Sequence, residues 1–555
     1  MRVQQARVDA LFVGYEDQEN LGLRSIMSAL EAAGFRSALA PYRPGDLLGV
    51  LRAAQAHAPD LVGFSIIFQY TLDEFAGLMA ALRDAGVPAH FTVGGHFPSL
   101  RPRETLEALP HADSVVRFEG EVTTTELLRQ LRRPDTWASI EGLAFRCGSQ
   151  IVVNAPRALI ADLDAMPRPI RGRPRAMTRG VRSAPLLASR GCLYDCAFCS
   201  IRQFYGGAPG PLRRVRAPAA VVDEMRDLFD RDDVRFFVFL DDDFAARSRQ
   251  QRQWIDAFLR SLDEARLTGR IRWKMSCRVD DVDEHVIRRC RDHGLVSVYL
   301  GVESGSPANL STLNKGVTVE QNLAAIETLR QAGVAFDMGF MLFEPYSTLE
   351  TIQENIDFLR RVTADGACPA NFCKMLPLAG TPIEARLRNE GRLKGTVTQP
   401  DYDFLDPRLD WYCLFVAQVF RFRNFDRLGL VERLRVCRYD QILAQTFEAA
   451  ACATDYEKAL FRITARANAL ALDTLEDGLH YVADRDVSAI ATDWPLLRYV
   501  ADREWEAEDS LQHELDSVLA AYSPELLQAF ADEFSRRLRM SSVGDTVAGD
   551  GRFIP

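Results

Sequence analysis

The feature that most restricts the fold is an alternation of short apolar segments with segments of helical periodicity, which occurs twice along the chain. The first series covers residues 1–150 and the second covers residues 184–390. Successive parallel strands need a crossover between them, and that crossover is usually a helix. The pattern therefore predicts an α/β protein with two mainly parallel sheets.

The first series predicts a doubly wound, Rossmann-like domain. Its predicted strands are residues 8–13, 36–39, 61–66, 89–93 and 114–118. Ligands of such sheets bind at the carboxyl ends of the strands. The loops that follow the strands, including Gly94-Gly95 and Glu119-Gly120, are therefore the predicted ligand edge.

The second series predicts a partial (β/α)6 barrel with its reactive face at the carboxyl ends of the strands.

A linker, residues 151–183, precedes the barrel, and its density of proline prevents regular helices and strand ladders. Two interpretations of the linker arginines stay open, a phosphate site and a solvated strap over the seam between the domains. Residues 391–555 are predicted to form a mostly helical carboxyl-terminal domain. The six predicted barrel strands are residues 185–189, 234–240, 271–277, 295–301, 334–343 and 371–376.

One loop after the first barrel strand carries Cys192, Cys196 and Cys199 at the spacing C-x3-C-x2-C. Structural zinc needs a fourth Cys or His, and residues 180–215 contain no other. Three protein ligands and one vacant position favour a cubane iron-sulfur cluster whose fourth iron binds a substrate or cofactor. A zinc knuckle and three buried structural thiols stay open as alternatives.

With the aromatic Phe198 before its last cysteine, this loop resembles the signature of radical S-adenosylmethionine (SAM) enzymes. The resemblance implies that the three cysteines bind a 4Fe-4S cluster and that SAM chelates the fourth iron, with Phe198 against its adenine. A reduced cluster then cleaves SAM to a 5′-deoxyadenosyl radical. This chemistry implies an external electron donor of the flavodoxin or ferredoxin type.

The same resemblance implies roles for residues at the ends of the barrel strands. Asp241 or Asp242 would accept from the SAM ammonium group, and Arg278 would pair with its carboxylate. Glu303, in a turn shared with Ser304, would accept from the ribose hydroxyls, and the backbone around Leu378 would lie against adenine. The triplet of aspartates at 241–243 also allows a divalent cation, because clustered carboxylates are hard ligands.

Residues 1–150 resemble a cobalamin-binding domain. Many such domains carry D-x-H-x-x-G after the first strand, with the histidine bound to cobalt, whereas this chain has Asp17-Gln18-Glu19-Asn20-Leu21-Gly22. The missing histidine implies base-off cobalamin without a protein histidine, with Gln69 or Tyr70 beneath the metal. His96 is interpreted as a hydrogen-bonding residue, and a flavodoxin-like domain that binds another nucleotide or no corrin stays open. The predicted cobalamin-binding residues are Glu19, Asn20, Gly22, Ser65, Gln69, Tyr70, Gly94, Gly95, His96, Glu119 and Gly120.

Together the two resemblances imply a cobalamin-dependent (class B) radical SAM methyltransferase. It would move a methyl group from SAM through methylcobalamin to a carbon of a small molecule, as in natural product biosynthesis. Trp411 and Tyr412, in an aromatic segment of the helical domain, are the predicted substrate contacts. The alternatives are polar methyl transfer to an sp2 carbon such as an indole, a radical rearrangement, cyclisation or oxidation, and a non-catalytic corrin-binding module.

The composition restricts partners and compartment. A net charge of -10 argues against a broad surface for nucleic acid or anionic membranes. The sequence has no apolar stretch of 18 residues and no apolar run of signal-peptide length at its start, so a cytoplasmic protein is expected. The 11 cysteines are accordingly expected to be reduced thiols or metal ligands.

Overall fold

The computed structural model describes residues 7–16, 18–245, 248–448, 450–492 and 494–541. Asp17, which belongs to the predicted cobalamin loop, lies outside the described residues. The first sheet has the strand order β2-β1-β3-β4-β5-β6-β7, in which β1 to β5 are parallel and β6 and β7 form an antiparallel hairpin at the edge. Its strands are β1 Ala10–Tyr15, β2 Ser37–Tyr42, β3 Leu61–Ser65, β4 His90–Gly94, β5 Ser114–Val116, β6 Leu143–Cys147 and β7 Gln150–Val153.

Helices cover both faces of this sheet. In β1, Ala10 and Phe12 pack into one core and Leu11 and Val13 pack into another, because successive side chains of a strand point to opposite faces. This arrangement confirms the predicted doubly wound domain. The helices are α1 Leu21–Ala32, α2 Leu47–His57, α3 Leu72–Asp84, α4 His96–Leu100, α5 Pro102–Ala108 and α6 Gly120–Gln130.

The linker runs along the seam between the two sheets. Strand β7 ends at its start and the strand Arg182–Leu186 begins at its end, and among the described residues only β8 Arg175–Ala176, at the edge of the second sheet, lies wholly within it. The Arg171 guanidinium forms ion pairs with Glu19 of the first domain and with Glu224 of a barrel helix. These contacts favour the strap over the phosphate site, since the arginine is matched by carboxylates of both domains.

The second sheet has the order β16-β15-β14-β13-β12-β9-β8, and β9 and β12 to β16 are parallel. Six parallel strands confirm the predicted partial barrel. The last of them, β16, is shorter than predicted. The parallel strands of this sheet are β9 Arg182–Leu186, β12 Val234–Phe239, β13 Arg272–Arg278, β14 Leu295–Glu303, β15 Ala335–Phe343 and β16 Cys373–Lys374. Two separate antiparallel pairs are formed by β10 Ser189–Arg190 with β11 Arg214–Val215 and by β17 Leu393–Gly395 with β18 Pro400–Tyr402. The helices are α7 Ser200–Gly206, α8 Pro218–Asp232, α9 Arg249–Glu264, α10 Glu284–Asp292, α11 Pro307–Thr312, α12 Val319–Ala332, α13 Leu349–Thr363 and α14 Pro382–Asn389.

The remainder of the described chain is helical, as predicted. Ion pairs from Arg360 of α13 to Asp473 and Glu476 join these helices to the barrel. Over the described residues, no helix combines the length and the apolar character that crossing a membrane requires. The helices are α15 Pro407–Phe425, α16 Leu430–Phe447, α17 Ala450–Ala483, α18 Val487–Thr492, α19 Trp494–Tyr522 and α20 Pro524–Ser541.

Candidate functional site

The cysteine loop lies between the first barrel strand and α7, which begins directly after Cys199. Gly191 opens the loop with φ 87°, and a Cβ at this position would lie 1.8 Å from Leu212 O, so only glycine fits. The Ala197 N–H donates to Leu313 O at 2.8 Å, which ties the loop to the barrel. The loop backbone is therefore held in one conformation by its surroundings.

The three thiols lie near one another. Burial raises the pKa of Cys192 to about 12 and that of Cys199 to about 11, and Cys199 interacts electrostatically with both of the other thiols. Burial also raises the pKa of Cys196, and the positive charges of Lys315 and Arg278 oppose this effect. Arg278 Nη1 donates to Cys196 Sγ at 3.3 Å.

These residues fit an iron-sulfur cluster, whose ligands are thiolates. Lys315 and Arg278, beside Cys196, offset the negative charge that thiolate ligands bring into a buried loop. The hydrogen bond from Arg278 to the sulfur of Cys196 would tune the reduction potential of the cluster. In the described parts of the chain, no three His, Cys, Asp or Glu side chains converge as closely as a single metal ion requires. The fit to a cluster of several irons therefore rests on the loop, its spacing and its adjacent cations.

Asp241 and Asp242 hold the cysteine loop in place. Asp241 accepts from Ala188 N at 3.1 Å and from Ser189 Oγ at 2.5 Å, and burial raises its pKa to about 6. Asp242 Oδ2 accepts from Gly191 N at 2.9 Å, and burial raises its pKa as well. Each of these carboxylates therefore accepts at least one hydrogen bond from a backbone N–H or a hydroxyl at the start of the loop.

Asp243 is the carboxylate that the sequence analysis did not select. It is buried, and neither of its side-chain oxygens has a hydrogen-bond partner among the described residues. Burial and the nearby Asp281 raise its pKa well above the ordinary value, and Arg213 and Arg278 oppose this effect. An unsatisfied buried carboxylate beside the cysteine loop is a candidate for binding a cationic group, as is the neighbouring Asp242, whose side chain is exposed.

Arg278 is placed differently from its predicted role. Its guanidinium donates to Cys196 Sγ, to Asp280 Oδ1 at 2.9 Å and to Lys315 O, and it lies 3.8 Å from the centre of the Tyr194 ring. These contacts direct it to the cysteine loop, which leaves little of it for a SAM carboxylate. The buried Lys315, near the same loop, was missed because its position after α11 carries no sequence signal.

Glu303 and Ser304 end β14 and have different surroundings. Glu303 has φ 68°, an unusual backbone conformation for this residue type, and its Oε1 pairs with Lys315 Nζ at 2.9 Å. Ser304 is fully buried and donates to Asn355 Oδ1 at 2.7 Å. Ser304 thus shapes the turn from within the core, a correction to its predicted contact with SAM.

Phe198 and Leu378 lie at the same end of the barrel. Phe198 is partly buried against the barrel core. The Leu378 N–H donates to Leu376 O at 2.9 Å, and its carbonyl accepts from Thr381 N at 3.2 Å. The polar backbone groups of Leu378 are therefore engaged within their own turn.

A cavity of about 460 Å³ lies between the carboxyl ends of the two sheets, and we call it the seam cavity. Its barrel side is formed by residues next to the cysteine loop and at the end of β12, namely Leu187, Ser189, Arg190, Phe204, Tyr205, Leu240 and Asp242. Its other side includes nine of the predicted cobalamin-binding residues, namely Glu19, Asn20, Gly22, Ser65, Gly94, Gly95, His96, Glu119 and Gly120.

Gln69 and Tyr70 are not among the residues that line the seam cavity. Both lie in a turn of 3-10 helix, Gln69–Thr71, that follows β3. The Gln69 amide donates to Val397 O at 2.8 Å and accepts from Ala379 N at 2.9 Å. Tyr70 stacks on Phe68, with the ring centres 5.3 Å apart. Ile67 is the residue of this loop that lines the cavity.

Bare backbone forms part of the cavity wall. Gly95 has φ 121°, and a Cβ there would lie 2.0 Å from Ile66 O. A Cβ on Gly120 would lie 2.8 Å from a side-chain carbon of Ile26. Glycine is required at both positions because a side chain would collide with protein atoms, and the cavity wall therefore carries no side chain at these two residues.

His96 is a partly buried imidazole in the wall of the seam cavity. Burial lowers its pKa to about 4, so the ring is neutral near pH 7. The ring packs against Phe204 of α7, with the ring centres 4.5 Å apart. A neutral imidazole is suited to hydrogen bonding with a polar edge group of a ligand.

Buried ion pairs join the two sides of the cavity. Arg190, which precedes the cysteine loop, pairs with Glu119 at 3.0 Å and with Glu121 at 2.7 Å. Arg214 pairs with the same Glu119 at 2.8 Å. These contacts couple the predicted cobalamin edge directly to the segment that carries the cysteines.

The aromatic residues predicted to contact substrate lie in the interior of the protein. Tyr412 is fully buried, and its hydroxyl donates to Leu475 O at 2.8 Å. Trp411 is partly buried against the same core. The prediction is therefore wrong for Tyr412, which has no exposed surface for a substrate.

Comparisons with known proteins agree with this arrangement. The family model described as B12 binding domain matches residues 9–128, and the Radical SAM superfamily model matches residues 186–359. An uncharacterized methyltransferase of Pyrococcus horikoshii is 28% identical over 355 residues, which cover 63% of this chain and 73% of the relative. The chain spans between 48% and 73% of the length of the first curated relatives that it matches.

Two solved structures share the fold. The cobalamin-dependent SAM radical enzyme OxsB with aqua-cobalamin bound matches with a TM-score of 0.66 and 17% identity, over 93% of this chain and 84% of the other. The radical SAM methyltransferase TsrM from Kitasatospora setae, with cobalamin and a 4Fe-4S cluster bound, matches with a TM-score of 0.57 and 20% identity, over 69% of this chain and 74% of the other. With both domain models matched in one chain, the chain carries a B12 binding domain followed by a domain of the Radical SAM superfamily.

Proposed function

We propose that this enzyme transfers a methyl group from SAM, by way of cobalamin, to a carbon atom of a small molecule. The observation that carries the proposal is the seam cavity, which brings nine predicted cobalamin residues and the flank of the cysteine loop to one space. An unactivated carbon has no lone pair with which to attack SAM, so two cofactors acting in one space explain the two-domain chain.

The chain's own residues have separate tasks in this proposal. Cys192, Cys196 and Cys199 hold the cluster, and Asp243 accepts from the SAM ammonium group. The free Oε2 of Glu303 accepts from the ribose, while Oε1 stays paired with Lys315. When bound, the cluster supplies an electron that it receives from a flavodoxin- or ferredoxin-type donor, and cobalamin supplies the carrier for the methyl group.

We also propose that cobalamin binds base-off and without a histidine ligand. Glu19 stands where the family motif has histidine, and its carboxylate accepts from Gly172 N at 2.6 Å and from Arg171 at 2.9 Å. The side chain therefore turns to the linker. The apolar Ile67 lines the cavity from the loop after β3, and His96 packs against Phe204.

Anaerobic turnover tests the proposal. Incubation with SAM, reductant and a panel of acceptors should yield S-adenosylhomocysteine, 5′-deoxyadenosine and a product heavier by one methylene unit. Methylation without deoxyadenosine would indicate polar transfer, and turnover without the added mass would indicate rearrangement, cyclisation or oxidation. Protein that holds neither iron nor added hydroxocobalamin would contradict the proposal.

Cysteine variants locate the cluster. Replacing Cys192, Cys196 and Cys199 by Ala should abolish the cluster absorbance and leave hydroxocobalamin retention intact, because the thiols lie outside the cobalamin edge. Cys147→Ala, at an exposed cysteine on β6, is the matched control and should keep both signals.

A further inference from the structure

The turn that ends β14 is strained at Glu303. Its backbone has φ 68°, in the left-handed region, and the Ser304 N–H donates to Val302 O, two residues back, at 2.9 Å. This is the pattern of a γ-turn with positive φ at its centre, which is rare and strained. Such a conformation persists only where its surroundings enforce it, and strain of this kind concentrates at functional sites.

Asn355 of α13 holds this turn from the core. Its Oδ1 accepts from Ser304 Oγ and from Gly305 N, each at 2.7 Å. Ser304 Oγ in turn accepts from Ser306 N at 3.0 Å. Asn355 and Ser304 are fully buried, so no water competes for these hydrogen bonds. One amide oxygen therefore fixes the two residues that follow Glu303.

Neighbouring helices leave the turn little freedom. Asn322 of α12 donates to Val302 O at 3.3 Å and to Ser304 O at 2.9 Å, so it bridges both ends of the turn. A Cβ on Gly305 would lie 2.2 Å from Cβ of Phe358, which is on α13 like Asn355. Helix α13 thus packs so closely against the turn that only glycine fits there.

The strained turn places the Glu303 carboxylate, whose Oε1 pairs with Lys315 Nζ at 2.9 Å. Asn355 reaches neither of these side chains. Its hydrogen bonds end at the backbone and hydroxyl of the turn and, at 3.4 Å, at Leu342 O. Asn355 therefore acts on the carboxylate only through the backbone of the turn.

We propose that Asn355 is a positioning residue, which holds Glu303 where its Oε2 accepts from the ribose hydroxyls of SAM. The inference rests on the proposed function, in which Glu303 binds the ribose. Without the amide oxygen, Ser304 Oγ and Gly305 N lose their acceptor. The backbone of Glu303 then relaxes toward negative φ, because positive φ is unfavourable for a residue with a side chain. The carboxylate moves away from the ribose, while the cysteine loop and Asp243 stay in place.

Binding of SAM and of its 2′,3′-dideoxy analogue tests the inference. Anaerobic equilibrium dialysis of the cluster-loaded enzyme, without reductant, measures both ligands uncleaved. We expect the wild type to bind SAM about 10- to 100-fold more tightly than the analogue, as hydrogen bonds to a charged acceptor predict. In Asn355→Leu, which keeps the branched shape and has no acceptor, this ratio should fall below about threefold, with the analogue bound as in the wild type.

Two further variants separate positioning from a loss of structure. Asn355→Asp should keep the wild-type ratio, because either form of its carboxyl accepts from the turn. Ser304→Ala removes only the hydroxyl and should lower the ratio about fivefold, which decides the matter if Asn355→Leu does not fold. Asn389→Leu, at the exposed end of α14, is the matched control and should bind both ligands as the wild type does.

The ratio of the two affinities distinguishes the outcomes. A wild-type ratio in Asn355→Leu and Ser304→Ala, or equal weakening of both ligands, would make Asn355 a structural residue only and overturn the inference. A wild type that binds both ligands equally would overturn it too, because Glu303 then does not bind the ribose. Iron is measured in the same samples, so either failure in loaded protein that binds SAM leaves the proposed methyl transfer standing.

Discussion

Consecutive aspartates after β12 differ because each meets a different set of donors. Asp241 and Asp242 accept from the backbone and from a hydroxyl next to the cysteines. Asp243 is as buried as Asp241, whereas Asp242 is exposed, and Asp243 has no such donors for its side-chain oxygens within the described residues. A carboxylate without donors in a dry site is costly unless a ligand supplies them, which is why we assign the ammonium group of SAM to Asp243.

Asp243→Asn should weaken SAM binding by about 10- to 100-fold, since a hydrogen bond to a charged group contributes about 1.5–3 kcal/mol. Equilibrium dialysis of the cluster-loaded protein with SAM measures the effect. Asp230→Asn, at an exposed ion pair on α8, is the matched control. Unchanged SAM affinity in the Asp243 variant would contradict the assignment.

Residue-level predictions are possible where local sequence determines the chemistry. The cysteine spacing needs only a few consecutive residues, so the loop could be recognised without the fold. The surroundings of Arg278 could not, because Cys196 and Lys315 reach it from two distant loops and only Asp280 is its neighbour in the sequence. Which of three adjacent aspartates lacks donors is likewise decided by distant backbone groups.

At the scale of elements, periodicity predicted both sheets, because apolar strands buried on both faces are readily told from amphipathic helices. It failed where short elements set the direction of side chains. Gln69, in the 3-10 turn Gln69–Thr71, is held by hydrogen bonds to Val397 and Ala379 and does not line the cavity. Helix α15 is buried on several sides, so its sequence does not show that Tyr412 faces the core.

The linker is the element whose charges the structure explains best. Arg171→Ala would leave Glu19 and Glu224 buried with fewer counter-charges, and breaking a buried pair costs about 3–5 kcal/mol. We expect a lower free energy of unfolding and weaker cobalamin retention, measured by denaturant unfolding and by dialysis. Arg173→Ala, at an exposed position of the same linker, should change neither quantity.

The difference between Arg171→Ala and wild type should depend on pH. Burial opposes ionisation of Glu224, but Arg171 and Arg216 outweigh it and lower the pKa of this carboxyl below its ordinary value. A lowered folded-state pKa stabilises the protein above the ordinary value, and that stabilisation is lost as the pH falls through the folded-state pKa. The difference in unfolding free energy between the wild type and Arg171→Ala should therefore become smaller below about pH 4. A difference that grows in this pH range would contradict the argument.

At the scale of the whole molecule, the two sheets meet through their carboxyl edges and are joined by contacts from both sides. Gln69 bonds to residues 379 and 397, Arg101 pairs with Glu384 at 2.9 Å, and Glu119 pairs with Arg190 and Arg214. The seam cavity lies among these contacts. A ligand that fills it touches both domains, so its binding energy adds to their association.

Hydroxocobalamin should therefore raise the unfolding temperature of the first domain and the barrel together. A ligand at 100 times its Kd stabilises the folded state by about 2.7 kcal/mol. Ser65→Trp places a large ring in the seam cavity and should abolish this gain, whereas Leu48→Trp, at an exposed site on α2 away from the cavity, should keep it. Calorimetry with and without hydroxocobalamin measures both effects. If hydroxocobalamin raises the unfolding temperature of one domain only, or still raises it in Ser65→Trp, cobalamin binds elsewhere than between the domains.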